Sequence, residues 1–256
     1  MTFGGEIKPL LRNANALDAI SSWIGERFLI AGTTRYEDDP QTGNRVYYNS
    51  LAVLDKSSNR SGHLALYDKH RLVPIGELPI ARILPFGEAL AAYLPSAIQQ
   101  QALNGFKPGP GPGVPFVDDA FPPFLAMICY EGLYPEIAGK ARPRPDWIVL
   151  VSNDAWFGGG IGPAQHYAQN RYRAIETGLP MARVASRGVS GIVDGMGRET
   201  ARGSILAGDP ERWRSSVVRA SLPSARPPTL YERNGFVYFW LTWTMLALLA
   251  FAFWRR

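Results

Sequence analysis

At 256 residues the chain is long enough for one large domain with a substantial core, or for a domain and an appendage. Its 46% hydrophobic and 19% charged content excludes a disordered chain; the formal charge of +5 comes from scattered arginines without a Lys/Arg block, which argues against nucleic acid and fits attraction to anionic lipid better. A single cysteine excludes an internal disulfide, and three histidines without a Cys/His cluster leave no metal or cofactor expected.

Met1 to Asn13 shows no charged segment leading into an apolar one, so no secretory signal is read there. Leu17 to Glu26 places Leu17, Ile20, Trp23 and Ile24 on one helix face. Arg27–Tyr36, Arg45–Asp55 and His63–Tyr67 read as strands separated by turns, which predicts hairpins within a layered α/β or α+β domain. The third strand runs into Tyr67-Asp68-Lys69-His70-Arg71-Leu72-Val73-Pro74-Ile75-Gly76-Glu77. This stretch is either a solvated loop or a site in which Lys69 is a fixed cation for a developing oxyanion and Glu77 orients it or handles a proton.

Ile80 to Gln101 predicts an apolar, helical excursion interrupted at Pro85 and Pro95. Lys107 to Pro115 alternates proline and glycine and predicts a surface loop, placed to serve as a mobile cover over a site. Phe124 to Ile128 is an apolar strand that ends at Cys129, and a helix is expected over Gly132 to Ala141. A thiol at a strand-to-helix turn is favoured as thiolate by helix N–H groups and dipole; a lone cysteine ending an apolar strand also reads as a small buried hydrophobe.

Asp146 to Val151 repeats the strand pattern and ends in Ser152-Asn153-Asp154-Ala155-Trp156-Phe157-Gly158 beside further glycines. Such residues are turn formers, and they also stand where α/β proteins hold ligands, which makes Asn153 and Trp156 substrate-binding candidates. A helix is predicted over Pro163 to Gly178, with Pro at its start and Gly at its end. Strands follow at Pro180–Ser186, Gly188–Asp194 and Trp213–Ala220.

Together, YDKHRLVPIGE (67–77), ICYE (128–131), SNDAWFG (152–158) and GPAQH (162–166) resemble the nitrilase-like domain of apolipoprotein N-acyltransferases, in the carbon–nitrogen hydrolase superfamily. Conjugal-transfer proteins carry a domain that is similar to it. The resemblance runs from about Leu10 to the C-terminus and implies a nitrilase-like αββα sandwich over residues 1–225. It implies Cys129 as nucleophile, Lys69 as the oxyanion-stabilising lysine and Glu77 as an additional active-site glutamate. Tyr130 and Glu131 match residues that support the site, and with His166 they are expected on its substrate-binding side. The implied chemistry moves an acyl chain from a phospholipid donor to Cys129 as a thioester, then to the N-terminal amine of a lipoprotein acceptor.

The resemblance puts the family's general-base glutamate at a place occupied here by Met1 to Glu6, with Gly4 or Gly5 about where the carboxylate should stand, so the base is expected to be missing or displaced, and Glu6 is the nearest acid. The helix bundle that precedes the domain in the acyltransferases does not precede it in these 256 residues, so a truncated frame or a non-catalytic relative is expected as the alternative to an active acyltransferase; a nitrilase-type amidase is a further alternative. Phe236 to Trp254 is 19 residues without a charge, followed by Arg255-Arg256, and predicts a transmembrane helix. The terminal arginines would lie on the cytoplasmic side, placing the domain on the periplasmic face of a bacterial inner membrane.

Overall fold

The computed structural model describes residues 22–25, 27–41, 43–54, 65–74, 76–93, 103, 105–112, 116–118, 121–139, 141–158, 160–204 and 217–254. Three antiparallel strands form the first sheet: β1 (Leu29–Asp38), β2 (Arg45–Leu54) and β3 (Ala65–Asp68), in that order. This is the hairpin series that the alternation of β-rich runs and turns predicts. Of the helix expected over Leu17–Glu26, only 22–24 are described as helical, and Ile24 among them is buried.

The second sheet has six strands in sequence order: β4 (Phe116–Asp118), β5 (Phe121–Ile128), β6 (Trp147–Asn153), β7 (Met181–Ser186), β8 (Val189–Val193) and β9 (Glu199–Ser204). Its centre is parallel, β5 to β6 to β7, and its outer pairs are antiparallel. Parallel strands are covered on both faces, and β5, with β6 as far as Val151, is therefore apolar at successive positions rather than at alternate ones. Phe124, Ala126 and Ile128 of β5 and Val149 and Val151 of β6 meet Leu51 and Val53 of the first sheet. The alternate residues, Leu125, Met127, Ile148 and Leu150, pack on the opposite face with Ile137, Ala138, Tyr167 and Ala174. Burying each such aliphatic side chain contributes roughly 1.5–3 kcal/mol, so these two layers hold the sandwich together. Gly32 of β1 lets the sheets approach closely, since a Cβ there would sit 3.3 Å from Val151 Cγ2.

The helices of this outer face are α3 (Pro135–Gly139) and α4 (Gly162–Thr177), preceded in the chain by two short helices, α1 (Ile80–Ile83) and α2 (Gly87–Ala91). Pro85 separates α1 from α2, as its missing N–H demands. Helix α4 has Pro at its start and Gly178 at φ 72° as its left-handed stop. Its buried stripe is unusually polar: His166, Asn170, Arg173 and Thr177 face inward beside Tyr167 and Ala174.

Three expectations change. The segment after Cys129 is a 3-10 turn, Cys129–Leu133, followed by the five-residue α3, because Pro135 lacks the N–H that a continuous helix from Gly132 would need. Among the described residues the last strand is β9; of the strand expected over Trp213–Ala220, residues 217–220 are irregular and 213–216 lie outside the described residues. Strand β9 was missed because it carries no large apolar side chain, and it is held instead by a hairpin in which Asp194 N–H donates to Arg198 C=O and Gly197 takes φ 77°. Finally, the described part of the proline-glycine loop, 107–112, is fastened to the sheet and to the Lys69 turn at its start. Lys107 N–H donates to Tyr47 C=O and Gly109 N–H to Lys69 C=O, both at 2.8 Å, and Phe106 N–H donates to Glu77 C=O at 2.7 Å.

Beyond the sandwich, Arg144 donates to both oxygens of Glu232 and to the carbonyls of Thr177 and Arg226, which fastens α5 (Leu230–Asn234) to the domain. Gly235 then turns the chain into α6 (Val237–Trp254), 18 residues long and exposed along its whole length. By length and apolarity α6 can cross a membrane.

Candidate active site

Cys129 ends β5 with φ 51°, in the left-handed region that costs a residue with a side chain about 1–2 kcal/mol. The sharp turn lifts the thiol out of the strand's pleat and leaves it only partly buried. A short 3-10 turn offers free N–H groups at its start, so these replace the long helix dipole as the source of positive potential at the sulfur.

Lys69 is 1% exposed, and its Nζ donates to Glu77 Oε2 at 2.7 Å. Glu77 also accepts from Val73 N–H at 2.8 Å on the same oxygen and from Asn49 Nδ2 at 2.7 Å on the other. The Val-Pro-x-Gly-Glu turn thus bends back to place one carboxylate under one ammonium, and both its oxygens are engaged. Among the described residues Lys69 Nζ has Glu77 as its one hydrogen-bond partner, leaving donors to aim at an oxyanion. Within this loop Lys69, Leu72 and Glu77 are therefore buried, while Arg71 and Pro74 are exposed.

Glu131 joins this turn to the cysteine. Its Oε1 accepts from Tyr67 Oη at 2.6 Å, His70 N–H at 2.8 Å and Arg71 N–H at 3.0 Å, while Oε2 accepts from Ile128 N–H at 2.7 Å. The carboxylate therefore ties the residue before Cys129 to the two residues after Lys69. Burial pushes its carboxyl above the usual range, and the four donors pull against that. At 0% exposure Glu131 is interior, with both carboxylate oxygens taken. Tyr130 is partly buried and stacks edge-on with Tyr134 at 5.1 Å, whose ring lies under the Arg71 guanidinium at 4.5 Å.

His166 is likewise interior. It is 3% exposed, with Nε2 3.3 Å from Cys129 C=O and Nδ1 3.0 Å from Asp154 Oδ1. Asp154, fully buried, also accepts from Ser152 Oγ at 2.7 Å and from Arg183 Nη2 at 2.8 Å. Burial alone would raise the Asp154 carboxyl, but His166, Arg183 and Ser152 outweigh it and hold the group below the usual aspartate range. Asn153 caps the 3-10 turn Asp154–Phe157 by accepting from Ala155 N–H, and Trp156 stands 79% exposed. Glu6 lies outside the described residues.

Three contributors escaped the sequence. Asn49 gave no signal within its strand. Asp154 was read as a turn former, although it stands within the SNDAWFG motif. Arg183 had a usable signal, an arginine at an inward position of an otherwise apolar strand, which has to be paired when buried.

The apolipoprotein N-acyltransferase of Bradyrhizobium diazoefficiens is 39% identical over 235 residues, covering 88% of this chain and 39% of that protein. The apolipoprotein N-acyltransferase of Sinorhizobium fredii is 35% identical over 243 residues, covering 94% of this chain and 43% of that protein. The chain thus spans about two fifths of the length of these curated relatives. Among solved structures, Nit3 of Saccharomyces cerevisiae, a member of branch 10 of the nitrilase superfamily, shares the fold with a TM-score of 0.51 at 18% identity, covering 77% of this chain and 66% of that one. The nitrilase-like architecture expected from the motifs is therefore the one observed. Residues 26–223 match the carbon–nitrogen hydrolase family, and the chain belongs to it.

Proposed function

We propose that this chain is an N-acyltransferase that moves a phospholipid acyl chain through a thioester on Cys129 to the N-terminal amine of a lipoprotein. The observation that carries the reading is Glu131, which couples the Lys69 turn to the strand end at Ile128 and so brings a buried ammonium and a thiol into one framework. In the first step the Cys129 sulfur attacks the ester carbonyl, Lys69 steadies the oxyanion, and the lysophospholipid alcohol leaves with the proton taken from the thiol. In the second, the amine attacks the thioester, its surplus proton returns to the sulfur, and the amide forms. Both steps need a general base other than Glu77, whose oxygens are engaged. Glu6 is the candidate for that role, and Glu6→Gln tests it.

The reading includes a membrane. Helix α6 is the anchor, with the terminal arginines on the cytoplasmic side and the domain on the periplasmic side. Trp156, Phe157 and Ile161, exposed apolar residues between β6 and α4, suit acyl chains better than small amides.

The test is the intact mass of the full chain after incubation with phospholipid vesicles, beside Cys129→Ala. An acyl-sized, hydroxylamine-labile increment on the parent alone is expected. No increment on folded protein overturns the acyltransferase reading; turnover of small amides in its place would favour an amidase.

A further inference from the structure

Cys129 is held in a backbone conformation that its own side chain disfavours, and such a conformation persists only where the surroundings over-determine it. Glu131 fixes the peptide entering Cys129, through Ile128 N–H. The peptide leaving Cys129 is fixed from α4, where His166 Nε2 meets the Cys129 carbonyl at 3.3 Å. A carbonyl only accepts, so Nε2 carries the proton and donates. On the other side of the ring, Nδ1 lies 3.0 Å from Asp154 Oδ1 and 3.1 Å from Arg183 Nη2. Nδ1 is thus flanked by an acceptor and a donor.

This cluster is built into the core. Arg183, 1% exposed, donates through Nε to Asn170 Oδ1 at 2.7 Å, through Nη1 to Val189 C=O and through Nη2 to Asp154. Gly188 leaves the room that Asp154 occupies, for a Cβ there would lie 2.2 Å from Asp154 Oδ2. Two of the four residues of the polar buried stripe of α4, His166 and Asn170, belong to this cluster, while Arg173 donates to Gly132 C=O and to Glu176. Burying so many polar groups contributes little to stability by itself, so their common outlet, the Cys129 carbonyl, is the informative feature.

We propose that His166, braced by Asp154 and Arg183, is a positioning residue that pins the Cys129 carbonyl and thereby sets the nucleophile's turn. In a trans peptide the C=O and the following N–H point in opposite directions, so pinning the carbonyl also fixes the direction of Tyr130 N–H. Tyr130 N–H is one of the first donors of the 3-10 turn and has no partner within it, which makes it an oxyanion donor of fixed aim beside Lys69. His166 then acts on the reaction through the backbone, without touching substrate. This inference rests on Cys129 being the nucleophile of the proposed reaction.

The experiment compares full-length parent, His166→Met and His166→Gln. Gln returns an N–H donor near the position of Nε2, and Met fills the space without one. Two rates are measured by intact mass: acyl-thioester formation from phosphatidylethanolamine and phosphatidylglycerol vesicles, and alkylation of the single cysteine by iodoacetamide, which needs no lipid. His166→Met should slow thioester formation at saturating lipid about 100-fold, the cost of a misplaced reacting group, while half-saturation stays within about threefold. His166→Gln should recover most of that loss, and alkylation should follow the same order. A His166→Met rate equal to the parent's overturns the proposal, as does a His166→Gln rate no better than that of Met. If the parent forms no thioester, the acyltransferase reading fails, and the order of the three alkylation rates still decides the role of His166.

Discussion

Two buried ionic clusters meet at Cys129, and they differ in what they leave free. The Lys69 cluster holds the peptide entering the cysteine, by way of Glu131, and its ammonium has one described partner, Glu77. The Asp154 cluster holds the peptide leaving it, by way of His166, and its ring nitrogens and carboxylate oxygens are all taken. An open cluster can stabilise charge that develops during a reaction, whereas a closed one can only fix geometry. The difference suits Lys69 to the chemistry proposed above and His166 to the positioning proposed for it, although both side chains are buried.

The most severe way to break this contrast is Lys69→Met. It should reduce acyl-thioester formation about 100- to 1,000-fold, the range for losing an oxyanion donor. It should also lower unfolding free energy by about 3–5 kcal/mol, because Glu77 is left buried without its cation. Denaturant unfolding and intact mass measured on one preparation check both, and a variant with normal stability and normal rate would remove Lys69 from the site.

Glu131→Gln asks whether the staple between the two sides depends on a carboxylate. An amide NH2 must face at least one of the four N–H or O–H donors, so unfolding free energy should fall by about 3 kcal/mol. Thermal unfolding reads this directly. Unchanged stability would mean that the staple tolerates a donor where the structure shows only acceptors.

Gly188→Ala presses on the closed cluster from outside. The new Cβ has to displace Asp154, costing about 1–3 kcal/mol in calorimetry, and iodoacetamide should report a changed Cys129 reactivity although the substitution touches neither Cys129 nor His166.

Asp154 also sets an acid limit. A carboxyl held below its unfolded-state value contributes stability that is complete above that value and is lost as pH falls through the folded one. The parent should therefore lose stability steeply below about pH 4, and Asp154→Asn should flatten that slope while lying lower at neutral pH. Equal slopes in pH-dependent unfolding would show that another carboxylate carries the acid transition.

The smallest structural effect is expected outside both clusters. Trp156→Ala, at a position 79% exposed, should change stability by no more than about 0.5 kcal/mol. It should raise the lipid concentration needed for half-maximal thioester formation, which a titration with vesicles measures.

What the residues announced in order along the chain were the parts that depend on local pattern. The hairpins of β1 to β3 follow from alternating runs and turns, α4 from its Pro and Gly ends, and α6 from its uncharged 19-residue run. Cys129, Lys69 and Glu77 were singled out by their motifs, although the residues alone left a buried hydrophobe and a solvated loop as alternatives. The tertiary structure alone decided which of the remaining groups face one another. Glu131 and His166 looked like substrate contacts in the motifs, yet burial and four donors make one a staple, and a backbone carbonyl makes the other a brace. Arg183 and Asp154 meet from β7 and from the turn after β6, 29 residues apart, a pairing that no local spacing encodes. A side chain's chemistry is written in its type, but whether it reacts or only positions depends on which partners satisfy it, and those partners are brought by the fold.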